Sequence, residues 1–307
     1  PSELGSMCEK KPTVSVVILN WNAKCFISAC IDSVLAQTYP AVDLLVMDNA
    51  STDGSLDLLR SRYPKLPVIV NEANLGFARA HNRAIQETHG QFYLPLNPDS
   101  TLAPDFVARM VDAVQIAEDV GAASGKLYFS DADGPTDRLF STGHLLTRNR
   151  KSANRGYKRR DTGQYDQVDI IFGPNGACPL YRRSMLQDVA VDGQVFDEAF
   201  FLYGEDYDLC WRSQLLGWRS IYTPHAVAYH HSRGTGAFDS PFIQFQFARN
   251  HYRTVLKNDH WRHLLADLPF ILLWELIWQA HTVVTDPRRF LAHLRAYADV
   301  VRALSEI

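Results

Sequence analysis

A chain of 307 residues, 46% hydrophobic and 21% charged, holds enough apolar material for a sizeable core, which excludes a disordered tail, a collagen, a coiled coil or a mini-protein. Lys and Arg number 31 against 34 Asp and Glu, a net charge of −3, so no global field draws in nucleic acid and any polyanion site must be local. Five scattered cysteines without a Cys-x-x-Cys pair argue against a disulfide framework or a zinc cage and favour a reducing compartment. Pro1 to Ser6 read as a cleaved-tag remnant ahead of Met7, and no signal-peptide pattern follows.

After Pro12, the run Val14 to Leu19 is apolar and β-branched, which predicts a strand buried on both faces. Phe26, Ile27, Cys30, Ile31, Val34 and Leu35 recur at helical spacing, and Pro40 ends that unit. Leu44 to Met47 predicts a second strand, Leu56 to Tyr63 a helix, Val68 to Val70 a third strand and Phe77 to Thr88 another helix. Phe92 to Leu96 predicts the fourth strand. After Pro104 a helix carries Phe106, Val107, Met110, Val111 and Val114 on one face. Strands alternating with helices in this way predict an α/β fold, a mostly parallel sheet with helices on both faces.

Residues 125–172 change character and read as loops with irregular strands. Within them, Arg148, Arg150, Lys151, Arg155, Lys158, Arg159 and Arg160 fall in thirteen residues without an acid. Such a cluster is either a solvated loop or an arm for phosphate or an anionic membrane surface. Glu205 to Leu216 predicts a helix ended by Gly217, followed by two short strands, Ser220 to Tyr222 and Ala226 to Tyr229. From Pro241 the chain reads as helical, and Leu264 to Val284 is strongly apolar, with Trp261, Trp274 and Trp278 in or beside it. Asp267, Pro269, Glu275, Gln279 and His281 interrupt that stretch, which favours an interfacial helix pair or a buried bundle over a clean transmembrane span. The expected organisation is an α/β domain over residues 7–240 and a helical, membrane-associating or packed region over 241–307.

In an open parallel sheet, ligands gather beyond the carboxyl ends of the strands. Four such ends here carry polar groups: Asn20-Trp21-Asn22, DNASTDGS (48–55), NEANLGFARAHN (71–82) and Asn97-Pro98-Asp99. Asp48 could accept from a pyrimidine N3–H while Trp21 stacks on the ring; alternatively DNASTDGS is an Asx-type turn, with Asp53 capping the helix after it. No GxGxxG and no GxxxxGK[ST] occurs, which weighs against dinucleotide dehydrogenases and P-loop kinases. A carboxylate beyond a buried strand, Asp99, is placed to hold a hard cation that also binds phosphate oxygens. Glu205 and Asp206 open a helix, as caps or as acid–base groups, and His230 at a strand end could complete a cation shell, with His225 and His231 as competitors.

The stretches VSVVILNWN, DNASTDGS, NLGFARAHN, LNPDS, GPNGACPLYRR and FDEAFFLYGEDYDLCWR resemble family 2 glycosyltransferases of the GT-A fold, most closely the bacterial rhamnosyltransferase-like members, over about residues 13–235. The resemblance implies inverting transfer from a nucleotide-diphosphate sugar with Mn²⁺ or Mg²⁺. It implies Asp48 as the base-binding acid, Asp99 as the metal-binding end of the DxD element and Asp206 as the catalytic base of the "ED" helix. His230 stands where some members place a metal-binding histidine, and Asn97 replaces the first Asp of DxD. Asn20, Trp21, Asn22, Asn74, Gly76, Asn82 and Asn97 are expected on the nucleotide side. Asn175 and Gly176 are expected on the acceptor side, with Glu205 beside the base and Arg233 reaching the diphosphate.

Likeness to rhamnosyltransferases implies dTDP-L-rhamnose as donor, with UDP and GDP sugars as open alternatives. The expected acceptor is a polysaccharide or an undecaprenyl-diphosphate-linked saccharide at the cytoplasmic face of the inner membrane, in keeping with the Trp-rich C-terminus and the basic loop. Two other classes stay open. A sugar-nucleotidyltransferase should carry a basic, Gly-rich loop after strand one, where this chain has Asn20-Trp21-Asn22-Ala23; a non-catalytic sugar-nucleotide-binding protein would not need Asp206.

Overall fold

The structure, a computed structural model, describes residues 11–232 and 240–305. Its first half alternates as expected: β1 (Val14–Asn20), α1 (Lys24–Leu35), β2 (Val42–Asp48), α2 (Ser55–Arg62), β3 (Val68–Val70), α3 (Gly76–Glu87) and β4 (Phe92–Leu96). These strands lie parallel in the order β4-β1-β2-β3, so Asn20 and Asp48 end side by side in register. Val14, Val16, Val17 and Ile18 are fully buried, because helices cover both faces and both side-chain directions of β1 meet apolar partners.

The second half departs from a mostly parallel sheet. After β5 (Ser100–Leu102) and α4 (Phe106–Val114) comes β6 (Val120–Asp131), then β7 (Gly134–Ser141), a hairpin of β8 (His144–Leu146) and β9 (Ser152–Asn154), β10 (Asp169–Ile171), β11 (Leu180–Arg182) and α5 (Arg183–Asp188). Following α6 (Glu205–Leu215), β12 (Arg219–His230) returns beside β6. The ten-stranded sheet is therefore mixed: β11 is antiparallel to both β4 and β6, β5 and β10 are antiparallel to β12, and β7 is antiparallel to β6.

Two details explain where the pattern misleads. β6 begins inside a segment rich in Gly, Ala and Ser because neighbours press on it: a Cβ on Gly125 would come 2.4 Å from the Ala226 carbonyl oxygen. Small residues are a packing requirement there, and they erase the hydrophobic signature of a strand. The two short strands expected around residues 220 and 227 are one strand, with a register shift between Tyr222 and Val227.

Three helices follow: α7 (Pro241–Asn258), α8 (Trp261–Thr285) and α9 (Pro287–Arg302). Helix α7 packs on α6 and α9, burying Ala292, Ala296 and Val300 of α9. Asn250 on α7 clasps the segment before α6, its Nδ2 lying 2.9, 3.0 and 2.6 Å from the carbonyl oxygens of Phe200, Leu202 and Tyr203. That segment needs holding, since Phe201 and Tyr203 adopt φ of 50° and 67°.

Helix α8 corrects the expectation of a buried bundle within this chain. Thr282 is its one buried residue, and by length and composition it could cross a membrane. Three of its polar residues face the protein: Asp267 pairs with Arg148 and Arg150, Glu275 with Lys151, and Gln279 with Glu275, His293 and Tyr297. Leu265, Leu272, Leu273, Trp274, Leu276 and Ile277 are left facing outward. The basic cluster is corrected by the same contacts. Arg150, 7% exposed, bonds Asp259 and Asp267, while Arg155 meets Asp169 and Arg160 meets Asp137. Arg148, Arg150 and Lys151 thus bracket the β8–β9 hairpin to the C-terminal helices, through acids far away in sequence.

Candidate active site

The ends of β1 and β2 are knit into one polar floor. Asn20 is fully buried, and its Nδ2 lies 2.7 Å from Asp48 Oδ2 and 3.0 Å from both Ser51 Oγ and Ser55 Oγ. Asp48 is also fully buried; its Oδ1 accepts from Ser51 N–H at 2.9 Å. Its two oxygens therefore tie the end of β1 to the 48–55 loop, and the carboxylate does not face open space as direct pairing with a base edge demands. Asn22, at φ 52°, accepts from Thr52 N–H at its side-chain oxygen and donates its backbone N–H to Ser51 Oγ, pinning the two loops together. Asp53 accepts from Lys24 N–H and Ser55 N–H, which makes it a strut between α1 and α2. Trp21 stands 43% exposed above this floor, with its ring available for stacking.

A ladder of amides joins the next loop. Arg83 donates to Asn71, Asn71 to Asn49, and Asn49 to Asn74 and the Gly76 carbonyl. Gly76 has φ 75° and lies so close to Phe201 that a Cβ would sit 2.4 Å from its carbonyl oxygen, which accepts from Phe77 N–H at 2.6 Å. Only glycine allows that approach between α3 and the segment leading to α6. Asn82 is a correction: its amide donates to the Phe196 carbonyl and Glu198 and accepts from Phe196 N–H. Both of its N–H donors are spent on a buried clip, so neither is left for a nucleotide.

Asp99 and His230 meet across the strand ends, with Asp99 Oδ1 3.1 Å from His230 Nε2 and both residues buried. Of the competing histidines, His231 stacks against Phe26 and His225 lies at the β12 bulge. Asn97, half-buried, donates its backbone N–H to the Ala177 carbonyl at 2.9 Å, which brings the 173–177 turn against this element. Among the described residues no group of three or more His, Cys, Asp or Glu forms a closed cation cage. The buried His230 Nδ1 has no hydrogen-bond partner among the described residues. One carboxylate and one imidazole side by side suit Mg²⁺ or Mn²⁺, which fills its shell with diphosphate oxygens and water, so the residues present fit such an ion. Arg233 lies outside the described residues.

On the other side of the 173–177 turn sits Asp206, in the first turn of α6. Its Oδ2 accepts from His144 Nε2–H at 2.9 Å and Gly176 N–H at 2.8 Å, and its Oδ1 from Tyr207 N–H at 2.8 Å. Asn175 reaches the β9 strand by donating to Asn154 Oδ1 at 3.2 Å. Burial alone would raise the Asp206 carboxyl, but the His144 imidazole and these N–H donors outweigh it and hold the group below its ordinary range. Glu205 goes the other way. Burial, with the Asp206 charge next to it, pushes it up to about 8, and its Oε2 has no partner among the described residues. Two adjacent carboxyls are thus driven apart at neutral pH, one ionised and one protonated, the pattern by which acid–base roles are assigned. His144 escaped the sequence reading; the only available signal is that it is the single histidine between His89 and His225.

Solved structures share this arrangement of sheet and helices. GalNAc-T7, determined with UDP, GalNAc and Mn²⁺, superposes with a TM-score of 0.62 at 15% identity, over 80% of this chain and 48% of its own. The mannosyltransferase PcManGT of Pyrobaculum calidifontis, determined with GDP-Man and Mn²⁺, gives 0.56 at 17% identity, over 96% of this chain and 76% of its own. The fold is that of a GT-A glycosyltransferase. The chain belongs to glycosyl transferase family 2, whose model matches residues 15–190. Among curated relatives, the N-acetylglucosaminyl-diphospho-decaprenol L-rhamnosyltransferase of Mycobacterium tuberculosis is 29% identical over 285 residues, 84% of this chain and 88% of the relative. An N-acetylglucosaminyltransferase of Rhizobium meliloti is 29% identical over 94% of this chain and 67% of its own length.

Proposed function

We propose that this glycosyltransferase moves L-rhamnose from dTDP-L-rhamnose, with inversion, to a hydroxyl of a lipid-diphosphate-linked saccharide. The observation that carries the reading is that Asp206 Oδ2 accepts from Gly176 N–H in the same turn whose Ala177 carbonyl accepts from Asn97, next to the Asp99–His230 pair. Support for donor and acceptor comes from the mycobacterial relative's rhamnosyl transfer. Trp21 stacks on the nucleobase, over the floor built by Asn20, Asn22, Asp48 and Asn74. Asp99 and His230 would hold a divalent cation, which supplies Lewis-acid stabilisation of the departing diphosphate.

The chain's own residues do the rest. The acceptor hydroxyl gives its proton to Asp206 as its oxygen bonds the anomeric carbon, and the bond from that carbon to the diphosphate oxygen breaks with its electron pair leaving on the diphosphate. Asn175 and Gly176 shape the acceptor side of the base. Glu205, kept protonated at neutral pH, adds no second charge next to Asp206. A nucleotidyltransferase loses support because the loop after β1 is a neutral Asn-Trp-Asn-Ala turn bonded to Ser51 and Thr52.

A panel of dTDP, UDP and GDP sugars screened by thermal shift with Mn²⁺ tests the donor. A ligand at a hundred times its dissociation constant stabilises by about 2.7 kcal/mol, and dTDP-L-rhamnose is expected to give the largest shift. Asp99→Ala and EDTA should each abolish most of that shift while sparing the free nucleoside; equal loss for nucleoside and nucleotide sugar would remove Asp99 from the cation role. The outward apolar faces of α8 are proposed to rest on the membrane that carries the acceptor, a peripheral location at its cytoplasmic face. Flotation with anionic liposomes checks this: the full chain should float, and Trp274→Asp/Ile277→Asp should remain at the bottom. A full chain that ignores liposomes at low salt would leave α8 to another partner.

A further inference from the structure

Asp206 is a base held in place by a residue from a distant part of the chain, and the hydrogen-bond pattern around it is specific. Its Oδ2 is filled by two donors, His144 Nε2–H and Gly176 N–H, while among the described residues Oδ1 accepts from Tyr207 N–H alone. A carboxylate oxygen has two lone pairs, so Oδ1 is the atom left with room for a proton from the acceptor. We propose that His144 is a positioning residue for the transfer reaction: its Nε2–H clamps Oδ2, fixes the rotamer of Asp206 and presents Oδ1 to the acceptor hydroxyl as an ionised base. This rests on Asp206 being the base.

The clamp itself is built to be rigid. His144 is 6% exposed, lies edge-on to the Tyr207 ring at 5.7 Å, and donates its backbone N–H to the Gly173 carbonyl at 2.7 Å. With Nε2–H committed to the carboxylate, the buried Nδ1 has no partner among the described residues. The titratable side chains that interact with Asp206 are Glu205, Tyr207 and Cys210 on its own helix, Tyr181 on β11 and His144 on β8. His144 is the one among them that donates to the carboxylate and offsets its burial, so it is the group whose loss is felt in the acid limb.

The test uses the full chain, dTDP-L-rhamnose and N-acetylglucosaminyl-diphospho-farnesol as a soluble acceptor probe, following released dTDP from pH 4 to 9. His144→Phe keeps a ring and removes the donor; kcat should fall about 10- to 100-fold with donor KM unchanged, and the acid limb should move to higher pH. His144→Gln restores an N–H donor and should recover most of the rate. In an Asp206→Asn background His144→Phe should cost nothing more, because the two act as a unit. Wild-type kcat and an unmoved acid limb in His144→Phe overturn the proposal. So does a folded His144→Gln, judged by its melting temperature and donor affinity, that is as slow as His144→Phe; this comparison stands even if the Phe variant fails to fold. If Asp206→Asn itself keeps its turnover, the base reading fails first, and the two failures are told apart.

Discussion

Asp206→Asn should lower turnover by about 10²- to 10⁴-fold, the usual contribution of a general base, while donor affinity stays within about twofold of wild type. Asparagine keeps the shape and can still accept at one oxygen from Gly176 or His144, but it cannot take a proton. Because the native carboxyl is held below its ordinary range, the wild-type acid limb should lie below the pH at which an exposed aspartate would lose its charge, and activity should be flat through neutral pH on that side. Single-turnover release of dTDP, with donor binding measured separately by calorimetry, checks both parts. Turnover within tenfold of wild type would remove Asp206 from the role, and collapse of donor affinity would make it a structural residue.

Arg150→Ala should destabilise the fold by about 3–5 kcal/mol, because it strands the buried Asp259 without its cation. The Asp259 side chain is only 5% exposed and Arg150 only 8%, so water cannot replace the lost partner. Arg148→Ala, by contrast, removes a side chain that is 62% exposed and should cost less than about 1 kcal/mol. Urea denaturation of both variants gives the comparison directly. A loss below about 1 kcal/mol in Arg150→Ala would mean that the bracket is solvated. The same variant should also lose some turnover, since Arg150 anchors the hairpin that carries His144.

These two residues mark the boundary of what the sequence makes legible. β1 to β4 could be read almost to the residue because each is a short apolar run between turn-forming polar clusters, and in β1 and β4 burial on both faces leaves that run no alternative. β6 could not, since contact with Ala226 and Phe106 demands glycine where a strand would ordinarily show a branched side chain. The basic cluster reads as solvated or phosphate-seeking only while its acids are out of view; Asp259, Asp267 and Glu275 lie more than a hundred residues on. Asn82 sits in the same motif as Asn74 and Gly76, yet α3 turns it to the opposite side, onto Phe196. A lone imidazole such as His144 has no spacing partner, and its role emerges only when the hairpin folds over α6.

The Asn250 clasp has a consequence for how the enzyme comes into being. Every group assigned to chemistry precedes residue 231, yet the carbonyls of Phe200, Leu202 and Tyr203, which set the entry angle of α6, are tied down by a side chain made later. A nascent chain emerging from the ribosome can thus pair its sheet and order its nucleotide floor well before the start of α6 acquires its final geometry. Stalled chains released about residue 240 should bind nucleotide yet turn over poorly, so synthesis passes through a stage that can hold a donor without spending it.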